Sequence, residues 1–231
     1  MKIGGLQPVT LLDYPQKVAA IIFTVGCNMR CPFCYNPSLV LSNLEKDNKS
    51  FKEMEVLSFL KKRKKYLDGI VITGGEPTLQ TDLPKFCQKL KKLGYSIKLD
   101  TNGMLPDVLE NLIGDKLVDY IAMDIKGPLE SYSKSSGMDT DVKNIQKSVK
   151  MIIKGSLPHE FRTTLVRGLH SKKDIVSMAR IVLGADKYFL QNFKDHKKLV
   201  GEGFRGRSFT NKLMKEFREI ADKYVKECEI R

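Results

Sequence analysis

Apolar residues recur along this chain with two alternating periods, and together they predict strands separated by helices. Short β-branched or apolar runs bounded by Gly or polar residues are typical of buried strands. Apolar positions three and four residues apart are typical of amphipathic helices. The predicted strands are 18–24, 69–73, 95–99, 118–123, 159–166 and 188–191. The predicted helices are 53–66, 82–93, 105–113, 142–153, 172–183 and 209–226.

Strands that alternate with helices of this length indicate βαβ units and a parallel sheet. Six such units are too few for a closed eight-stranded barrel, so we expect an α/β fold with an open, partial (β/α)6 barrel. A chain of 231 residues suits a single domain. We expect a lead-in at 1–17, a barrel core at 18–192 and a carboxy-terminal loop and helix at 193–231. Ligands of such folds bind at the carboxyl ends of the strands.

The loop after the first predicted strand contains three closely spaced cysteines, Cys27, Cys31 and Cys34. Thiolates are the usual ligands of iron–sulfur clusters, and a cuboidal cluster takes one per iron. Three thiolates therefore leave one iron open, and an open metal position is typical of a reactive site. A structural zinc site needs a fourth ligand, yet the first histidine is His159. The spacing therefore predicts a [4Fe-4S] cluster with one open iron.

The same stretch, CNMRCPFCYNP, resembles the signature of radical S-adenosylmethionine (SAM) enzymes. Together with the amino-terminal GLQPVTLLDYP, it is similar to the glycyl-radical-enzyme activases, above all to anaerobic ribonucleoside-triphosphate reductase activating proteins. Gln16 departs from the Gly expected at its position. The resemblance covers most of the chain and is strongest from Gly5 to Lys126. It implies that the chain cleaves SAM reductively to a 5′-deoxyadenosyl radical and installs a glycyl radical on a partner enzyme.

A glycine-rich turn follows the second predicted strand and resembles the radical SAM motif that binds the amino group of the cofactor. Its residues are Gly74, Gly75, Glu76 and Pro77. Glycines let the backbone approach a ligand closely. Backbone carbonyls and the Glu76 carboxylate can accept hydrogen bonds from an ammonium group. An isolated Gly-Gly-Glu-Pro turn is weak evidence for a cofactor site. Its position about 40 residues after the cysteines favours that interpretation.

Carboxylates follow the third and fourth predicted strands, at Asp100 and Asp124. Each is also suited to capping the following helix, but both segments resemble glycyl-radical activases, in which such acids hold a monovalent cation near the SAM carboxylate. By that resemblance, backbone oxygens of Thr101 and Ala122 assist, and the cation offsets repulsion between neighbouring carboxylates. Lys126 is expected to contact SAM or the partner's backbone.

Further residues are candidates for contacts with SAM. We expect Arg162, on the fifth predicted strand, to bind the carboxylate or ribose, because a buried Arg on a strand needs an anionic partner. Its alternative is an exposed position on an edge strand. The remaining candidates are Asn102, Gln191, Asn192, Phe33 and Tyr35. The last four are expected near adenine, although either aromatic ring would serve equally well in the core.

The charge of the chain bears on its partners, and the remaining cysteines bear on whether it holds a second cluster. Lys and Arg number 40 against 27 Asp and Glu, a formal net charge of +13, which permits an acidic protein partner or nucleic acid. The basic residues, such as those at 61–65, fall on polar helix faces, so nucleic-acid binding is not expected. Cys87 is expected as a buried thiol and Cys228 near a frayed terminus. With only Leu39 to Ser50 between the first motif and the second strand, no auxiliary cluster is expected.

No apolar run is long enough to span a bilayer, and the opening residues do not suit a signal peptide, so no membrane association is expected. Thiolate ligands need a reducing compartment, which indicates the cytoplasm, and an oxygen-labile cluster indicates anaerobic metabolism. The expected partners are a glycyl radical enzyme and a flavodoxin or ferredoxin-type electron donor.

Three other classes of function stay open. A radical SAM enzyme for a small molecule, such as a deazapurine synthase, shares the cysteine and Gly-Gly-Glu-Pro motifs, although its loop usually differs after the third cysteine. An RNA-modifying enzyme would explain the charge but usually carries an RNA-binding domain. An iron–sulfur scaffold or electron carrier would not need cofactor residues at three strand ends. An adjacent gene for a glycyl radical enzyme would favour activation.

Overall fold

The computed structural model of the protein describes residues 1–41, 50–194 and 198–231, so most of the segment from Leu39 to Ser50 lies outside the described residues. Its strands are β1 (Ile3–Thr10), β2 (Ala19–Thr24), β3 (Gly69–Gly74), β4 (Ser96–Thr101), β5 (Tyr120–Asp124), β6 (His159–Leu165), β7 (Lys187–Asn192) and β8 (Glu227–Ile230). Its α-helices are α1 (Pro37–Val40), α2 (Glu53–Arg63), α3 (Leu83–Lys92), α4 (Pro106–Gly114), α5 (Tyr132–Ser136), α6 (Val142–Lys154), α7 (Lys172–Ile181) and α8 (Asn211–Ala221). Short 3-10 turns span Pro77–Leu79 and Leu129–Ser131.

These strands form a sheet whose hydrogen-bonded order is the chain order, β1 to β8. β1 pairs with β2 antiparallel. The pairs β2–β3, β3–β4, β6–β7 and β7–β8 are parallel. Parallel strands joined by helical crossovers are the arrangement that the alternating pattern predicts. The expected α/β class of the open, partial (β/α)6 type is therefore confirmed.

The structure adds two strands and two short α-helices that the apolar pattern did not predict, namely β1, β8, α1 and α5. β1 contains two glycines and Pro8, which weaken a strand signal, and β8 has only four residues. The predicted helix 209–226 is shorter, because α8 ends at Ala221. The expectation of a frayed terminus around Cys228 is wrong: this residue lies in β8, is 2% exposed, and donates its N–H to Asp222 Oδ1 at 3.0 Å.

Contacts among the described residues divide the chain into two compact units. Unit 1 comprises Met1–Asn28, Ser38–Thr101 and Asp107–Ile121, and unit 2 comprises Met29–Pro37, Asn102–Pro106 and Ala122–Arg231. The expected single domain over 1–231 stays a prediction. None of the helices in the described ranges is both long and apolar enough to cross a membrane.

The core of unit 1 packs on β2 and β3. β3 reads GIVITG, and its first four residues are buried. Such a continuous β-branched run is typical of a parallel strand covered on both faces. Tyr14, Ile21, Val71 and Tyr120 cluster together with Ala19, and the ring centres of the two tyrosines are 6.0 Å apart.

Helix α6 illustrates how the sequence determines a helix of unit 2. The Asp141 side chain accepts a hydrogen bond from the Lys143 N–H at 3.0 Å, so it caps the first turn. Ile145, Val149 and Ile152 are buried at spacings of three and four residues. Full burial of such a side chain contributes about 1.5–3 kcal/mol. The helix predicted at 142–153 is therefore confirmed to within one residue.

Candidate active site

In unit 1, the backbone that precedes Cys27 lies directly against the turn after β3. The N–H of Gly75 donates to Thr24 O at 2.9 Å, and the N–H of Glu76 donates to Gly26 O at 2.8 Å. A Cβ atom on Gly75 would lie only 2.1 Å from Gly26 O. No residue larger than glycine fits there without moving backbone. The turn predicted to bind SAM is thus joined to the residues just before the first predicted cluster ligand.

The Glu76 side chain is buried and bound within its own turn. Its Oε1 accepts hydrogen bonds from Thr78 N at 3.1 Å, Thr78 Oγ1 at 2.5 Å and Thr101 Oγ1 at 2.8 Å. It thereby caps the 3-10 turn Pro77–Leu79. Gly74, with a φ of +119°, adopts a conformation that favours glycine. These contacts give Oε1 a role in shaping the turn, while binding of the SAM amino group stays a prediction.

Asp100, in β4, lies near a buried lysine that the sequence analysis missed. Lys98 is two residues earlier on the same face of the strand and its side chain is 1% exposed. Its Nζ is 3.6 Å from Asp100 Oδ1 and donates to Asp13 O at 2.6 Å. It also lies 5.5 Å from the Tyr120 ring centre. A lysine inside an apolar strand was the available signal, because a buried ammonium needs such partners.

In unit 2, the remainder of the cysteine loop forms a turn held by the segment after β7. The N–H of Cys34 donates to Cys31 O at 3.0 Å. Val200 N donates to Cys34 O, and Gly201 N donates to Pro32 O, each at 3.1 Å. A Cβ atom on Gly201 would lie 2.7 Å from the Pro32 Cβ. The second and third predicted cluster ligands are therefore fixed by backbone contacts on both sides of Pro32.

The two aromatic candidates have packing partners within unit 2. Phe33 is 4% exposed, and its ring meets the edge of His170 at a centroid distance of 6.3 Å. The Tyr35 ring stacks on Phe193 at 5.6 Å, and its hydroxyl accepts a hydrogen bond from Lys194 N at 2.7 Å. Of the two alternatives weighed for these rings, the contacts favour packing.

The amide candidates of unit 2 hold nearby backbone. Asn102 Oδ1 accepts from Met104 N at 3.0 Å. Asn192 Nδ2 donates to Phe209 O at 2.8 Å, and its Oδ1 accepts from Phe209 N at 2.9 Å. Gln191 is half-buried in β7. Contact of these amides with SAM stays a prediction.

Asp124, the last residue of β5, lies between two cations. Its Oδ1 accepts from Arg162 Nε at 2.8 Å, and its Oδ2 accepts from Lys126 Nζ at 2.9 Å. Burial alone would raise the pKa of Asp124, but the guanidinium and the ammonium outweigh it and hold that pKa well below its usual range. Burial would likewise lower the pKa of Lys126, but the nearby Asp124 and Cys31 raise it.

Three predicted cofactor residues therefore come together in unit 2. The Arg162 side chain is only 14% exposed, so its alternative as an exposed edge residue is wrong. The anionic partner that its burial required is present as Asp124. Both carboxylates predicted to share a monovalent cation, Asp100 and Asp124, have lysine partners in their own units. The monovalent cation stays a prediction.

Two residues that sequence analysis missed fix the backbone of Lys126. Its N–H donates to the Tyr132 hydroxyl at 3.2 Å. Val166 N donates to His170 Nδ1 at 3.0 Å, so Nδ1 is the acceptor and Nε2 carries the proton that is donated to Lys126 O at 2.9 Å. Burial lowers the pKa of His170, which favours this neutral form. A lone tyrosine and a lone histidine gave no signal in the sequence.

A family model for the radical SAM superfamily matches residues 21–180. The chain belongs to the radical SAM superfamily. A protein of Methanocaldococcus jannaschii, provisionally named a glycyl-radical enzyme activating enzyme, is 34% identical over 236 residues, which cover 99% of this chain and 95% of that protein. The resemblance that the motifs suggested is therefore confirmed.

Two other comparisons describe more limited likeness to this radical SAM protein. A 7-carboxy-7-deazaguanine synthase of Aquifex aeolicus is 37% identical over 81 residues, 35% of this chain and 34% of the synthase. The crystal structure of Streptococcus suis SuiB bound to S-adenosylmethionine aligns with a TM-score of 0.71 at 14% identity, over 91% of this chain and 49% of SuiB. At that identity the likeness shows the fold alone.

Membership of the radical SAM superfamily implies SAM and a [4Fe-4S] cluster, and the thiols of this chain fit that requirement. All five cysteines lie in the described ranges, and none forms a disulfide. Burial raises the pKa of Cys87 and of Cys228 to about 12, so both stay protonated at neutral pH and are poor ligands. Cys27, Cys31 and Cys34 stay the predicted cluster ligands.

Among residues 1–41, 50–194 and 198–231, no three Cys, His, Asp or Glu side chains are grouped to hold a metal ion. A cluster differs from a single ion because each thiolate binds a different iron. The cluster ligands of this radical SAM protein therefore stay a prediction.

Proposed function

We propose that this radical SAM protein is a glycyl-radical-enzyme activating enzyme, which installs a glycyl radical on a partner such as anaerobic ribonucleoside-triphosphate reductase. The observation that carries the proposal is the match over 99% of this chain to a protein provisionally named as such an enzyme. The match to the deazaguanine synthase covers only 35% of this chain.

In this proposal Cys27, Cys31 and Cys34 would hold the cluster, and SAM would bind at its open iron. When bound, the reduced cluster supplies the electron that splits SAM into methionine and a 5′-deoxyadenosyl radical. The residues of the chain itself hold the reacting groups in place. The Gly26–Gly75 backbone contact holds the start of the cysteine loop, and fixed geometry of this kind is a large part of catalysis.

We assign the amino group of SAM to the backbone carbonyls of the Gly74–Pro77 turn, and its carboxylate to Arg162 and Lys126. Arg162 has five N–H donors in a planar fork, and its Nε donates to Asp124 Oδ1 at 2.8 Å. Asp124 holds the guanidinium and the ammonium on either side of one carboxylate. A SAM carboxylate bound there meets two cations whose directions are already set.

The proposed partners are a glycyl radical enzyme and a flavodoxin or ferredoxin-type electron donor, in an anaerobic cytoplasm. A net charge of +13 favours association with an acidic surface. Such an encounter weakens as salt shortens the Debye length, which is about 10 Å at 0.1 M. A monovalent cation at Asp100 and Asp124 belongs to the same proposal, and it requires that SAM cleavage depend on which cation is supplied.

The deciding experiment follows one labelled hydrogen atom. The reconstituted protein is incubated anaerobically with reductant, SAM and a candidate partner that carries deuterium at its target glycine. We expect a glycyl radical signal by electron paramagnetic resonance and deuterium in the 5′-deoxyadenosine. A partner with alanine in place of that glycine is the matched control and should give neither.

A second candidate, synthesis of a deazapurine-type small molecule, draws on the match to the Aquifex synthase. It predicts label transfer from a small purine precursor, with every candidate partner inert. Transfer from a nucleoside in RNA would instead support an RNA-modifying enzyme. Either result would overturn the activating role and leave membership of the radical SAM superfamily intact.

A further inference from the structure

A series of ionic contacts lies on one face of β6 in unit 2. Glu160 and Arg162 are two residues apart on this strand, so their side chains share a face. The Glu160 side chain is 0% exposed. Arg162 lies between two carboxylates: its Nε is 2.8 Å from Asp124 Oδ1, and its Nη1 is 3.9 Å from Glu160 Oε1.

Arg231, which directly follows β8, is another cation at Glu160. Its Nη1 is 3.3 Å from Glu160 Oε1, and its Nη2 is 3.5 Å from Oε2. The two guanidinium nitrogens therefore face the two oxygens of the carboxylate, an arrangement that lysine cannot reproduce.

Two further contacts hold Arg231 in place. Its N–H donates to Leu190 O at 3.0 Å, which extends the β7–β8 pairing by one residue. Its guanidinium carbon lies 3.4 Å from the ring centre of Phe189, a cation–π contact. Phe189 pairs with Arg162 on the neighbouring strand, so both arginines lie over the same part of the sheet.

A fully buried carboxylate needs cationic partners, because an uncompensated charge in the interior is strongly unfavourable. If Arg231 were absent, the negative charge of Glu160 would attract Arg162 more strongly. Arg162 is already 3.9 Å from Glu160, so a small rotation would bring it closer and lengthen its 2.8 Å bond to Asp124. Arg231 therefore determines how Arg162 is shared between the two carboxylates.

We propose that Glu160 and Arg231 are positioning residues that direct Arg162 toward Asp124 and the SAM carboxylate. The inference rests on the proposed contact between Arg162 and SAM. Arg231 acts through Arg162, so it adds a determinant of cofactor affinity that lies two strands from β6.

The first test is the affinity of the cluster-loaded protein for SAM, measured by isothermal titration calorimetry. Arg231→Met keeps much of the aliphatic stem and removes the charged fork. We expect its dissociation constant for SAM to rise about tenfold, the scale of one charge-assisted hydrogen bond. Arg231→Lys, which restores the charge without the fork, should recover part of the loss and serves if the Met variant does not fold.

A double-substitution cycle separates positioning from a merely structural role. If Arg231 acts through Arg162, adding Arg231→Met to an Arg162→Met protein should change the SAM affinity by less than about twofold. If Arg231 only stabilises the fold, its effect should be as large in the Arg162→Met background as in the wild type. That second result would overturn the inference.

A second readout needs neither cluster nor SAM. In the apo protein, the Arg162 Nε–H that is bonded to Asp124 should give a slowly exchanging ¹⁵N resonance, assigned by its loss in Arg162→Lys. Arg231→Met should shift this resonance or speed its exchange. The matched control is Lys187→Met, which removes an exposed ion pair of β7 and β8, 3.0 Å from Glu227, and should change neither readout.

The two proposals fail in distinguishable ways. Wild-type protein that binds SAM, with Arg231→Met equal to it in affinity and in the Arg162 resonance, would contradict the positioning role and leave the activating function untouched. Wild-type protein that does not bind SAM would contradict the proposed cofactor chemistry. The Arg162 resonance would then still decide whether Arg231 positions Arg162.

Discussion

The residues proposed for SAM binding are held by different forces in the two units. In unit 1, the turn after β3 depends on close backbone packing of Gly75 on Gly26 and on hydroxyl groups that donate to Glu76. In unit 2, Asp124 and Arg162 depend on ionic contacts. Close packing is sensitive to side-chain size, whereas ionic contacts are sensitive to charge, pH and salt. The residues proposed for SAM binding can therefore be damaged in one way in unit 1 and in another way in unit 2.

The same contrast separates two carboxylates that look equivalent in sequence. Lys98 precedes Asp100 by two residues, and Lys126 follows Asp124 by two residues. Asp100 has its lysine at 3.6 Å, whereas Asp124 has cations at 2.8 and 2.9 Å. Coulombic attraction falls with distance and with solvent screening, so the charge on Asp124 contributes more to its surroundings.

The largest expected effect concerns the cysteine loop, to which both units contribute residues. Cys31→Ala should reduce the iron content from about four atoms per chain to background and abolish SAM cleavage, because the cluster needs one thiolate at each of three irons. Iron and sulfide analysis of anaerobically purified protein measures this. Cys87→Ala is the control and should keep its iron. Full SAM cleavage by Cys31→Ala would rule out the assigned ligand set.

The next effect tests size sensitivity in unit 1. Gly75→Ala puts a Cβ 2.1 Å from Gly26 O, so the backbone must move, and we expect a loss of about 3 kcal/mol in the free energy of unfolding. The control is Gly114→Ala, where no neighbouring atom of the described residues lies within 4 Å of the added Cβ and the change should stay within about 0.5 kcal/mol. Urea denaturation measures both. Equal stabilities would show that the close approach is not required.

A smaller effect tests charge sensitivity in unit 2. Asp124→Asn leaves Arg162 and Lys126 without their shared carboxylate and should lower the unfolding free energy by about 2 kcal/mol. Asp100→Asn should lower it by about 1 kcal/mol, since its ion pair is longer. The same urea titrations measure both variants. A larger effect at Asp100 would reverse the comparison.

The pH dependence of stability sharpens the contrast further. The pKa of Asp124 is lower in the folded protein than its unfolded value of 3.8, so the folded state binds fewer protons at this group. Its stabilisation is therefore present above about pH 4 and is lost as the pH falls toward the folded-state pKa. The difference between wild type and Asp124→Asn should be constant from about pH 8 to 5 and shrink below about pH 4. The difference for Gly75→Ala should not change, and a gap at Asp124 that widens in acid would contradict the assignment.

The smallest effect is that of salt. The Asp124 side chain is 28% exposed, so its ionic contacts are only partly screened. Raising NaCl from about 0.05 to about 0.5 M should reduce the difference between wild type and Asp124→Asn by a few tenths of a kcal/mol. The Gly75→Ala difference serves as the reference and should stay constant. A salt effect of the same size on both variants would mean that the two units do not differ in this respect.

Much of the fold could be predicted from the sequence because periodicity reports burial directly. The runs that became β2 to β7 and the spacing of Ile145, Val149 and Ile152 in α6 are local signals. β1 and β8 could not be predicted in this way. Their stability comes from pairing with β2 and β7, which depends on tertiary context and leaves little trace in a short or glycine-containing segment.

The site was predictable where adjacent strands bring residues together. Asp124 and Arg162 meet because the backbones of β5 and β6 are bonded there, as the Ile125 N–H to Arg162 O contact of 2.8 Å shows. Lys98 was missed although a lysine inside an apolar strand is a signal, but the sequence does not tell which partner Lys98 or Glu160 has in the folded protein. That depends on which side chains lie opposite, and only the folded structure supplies them.

The two hydrogen bonds between Asn192 and the backbone of Phe209 give the chain from 193 to 208 a fixed start and finish. Between these ends, Val200 and Gly201 donate hydrogen bonds to the backbone of the cysteine loop. The entropic cost of closing such a loop rises only slowly with its length. Insertions and deletions here should therefore change the stability of the sheet little. In particular, a change in the length of this stretch is expected to affect β7 little. Exchanging it between homologues is a practical way to alter what reaches Cys34 without redesigning the barrel.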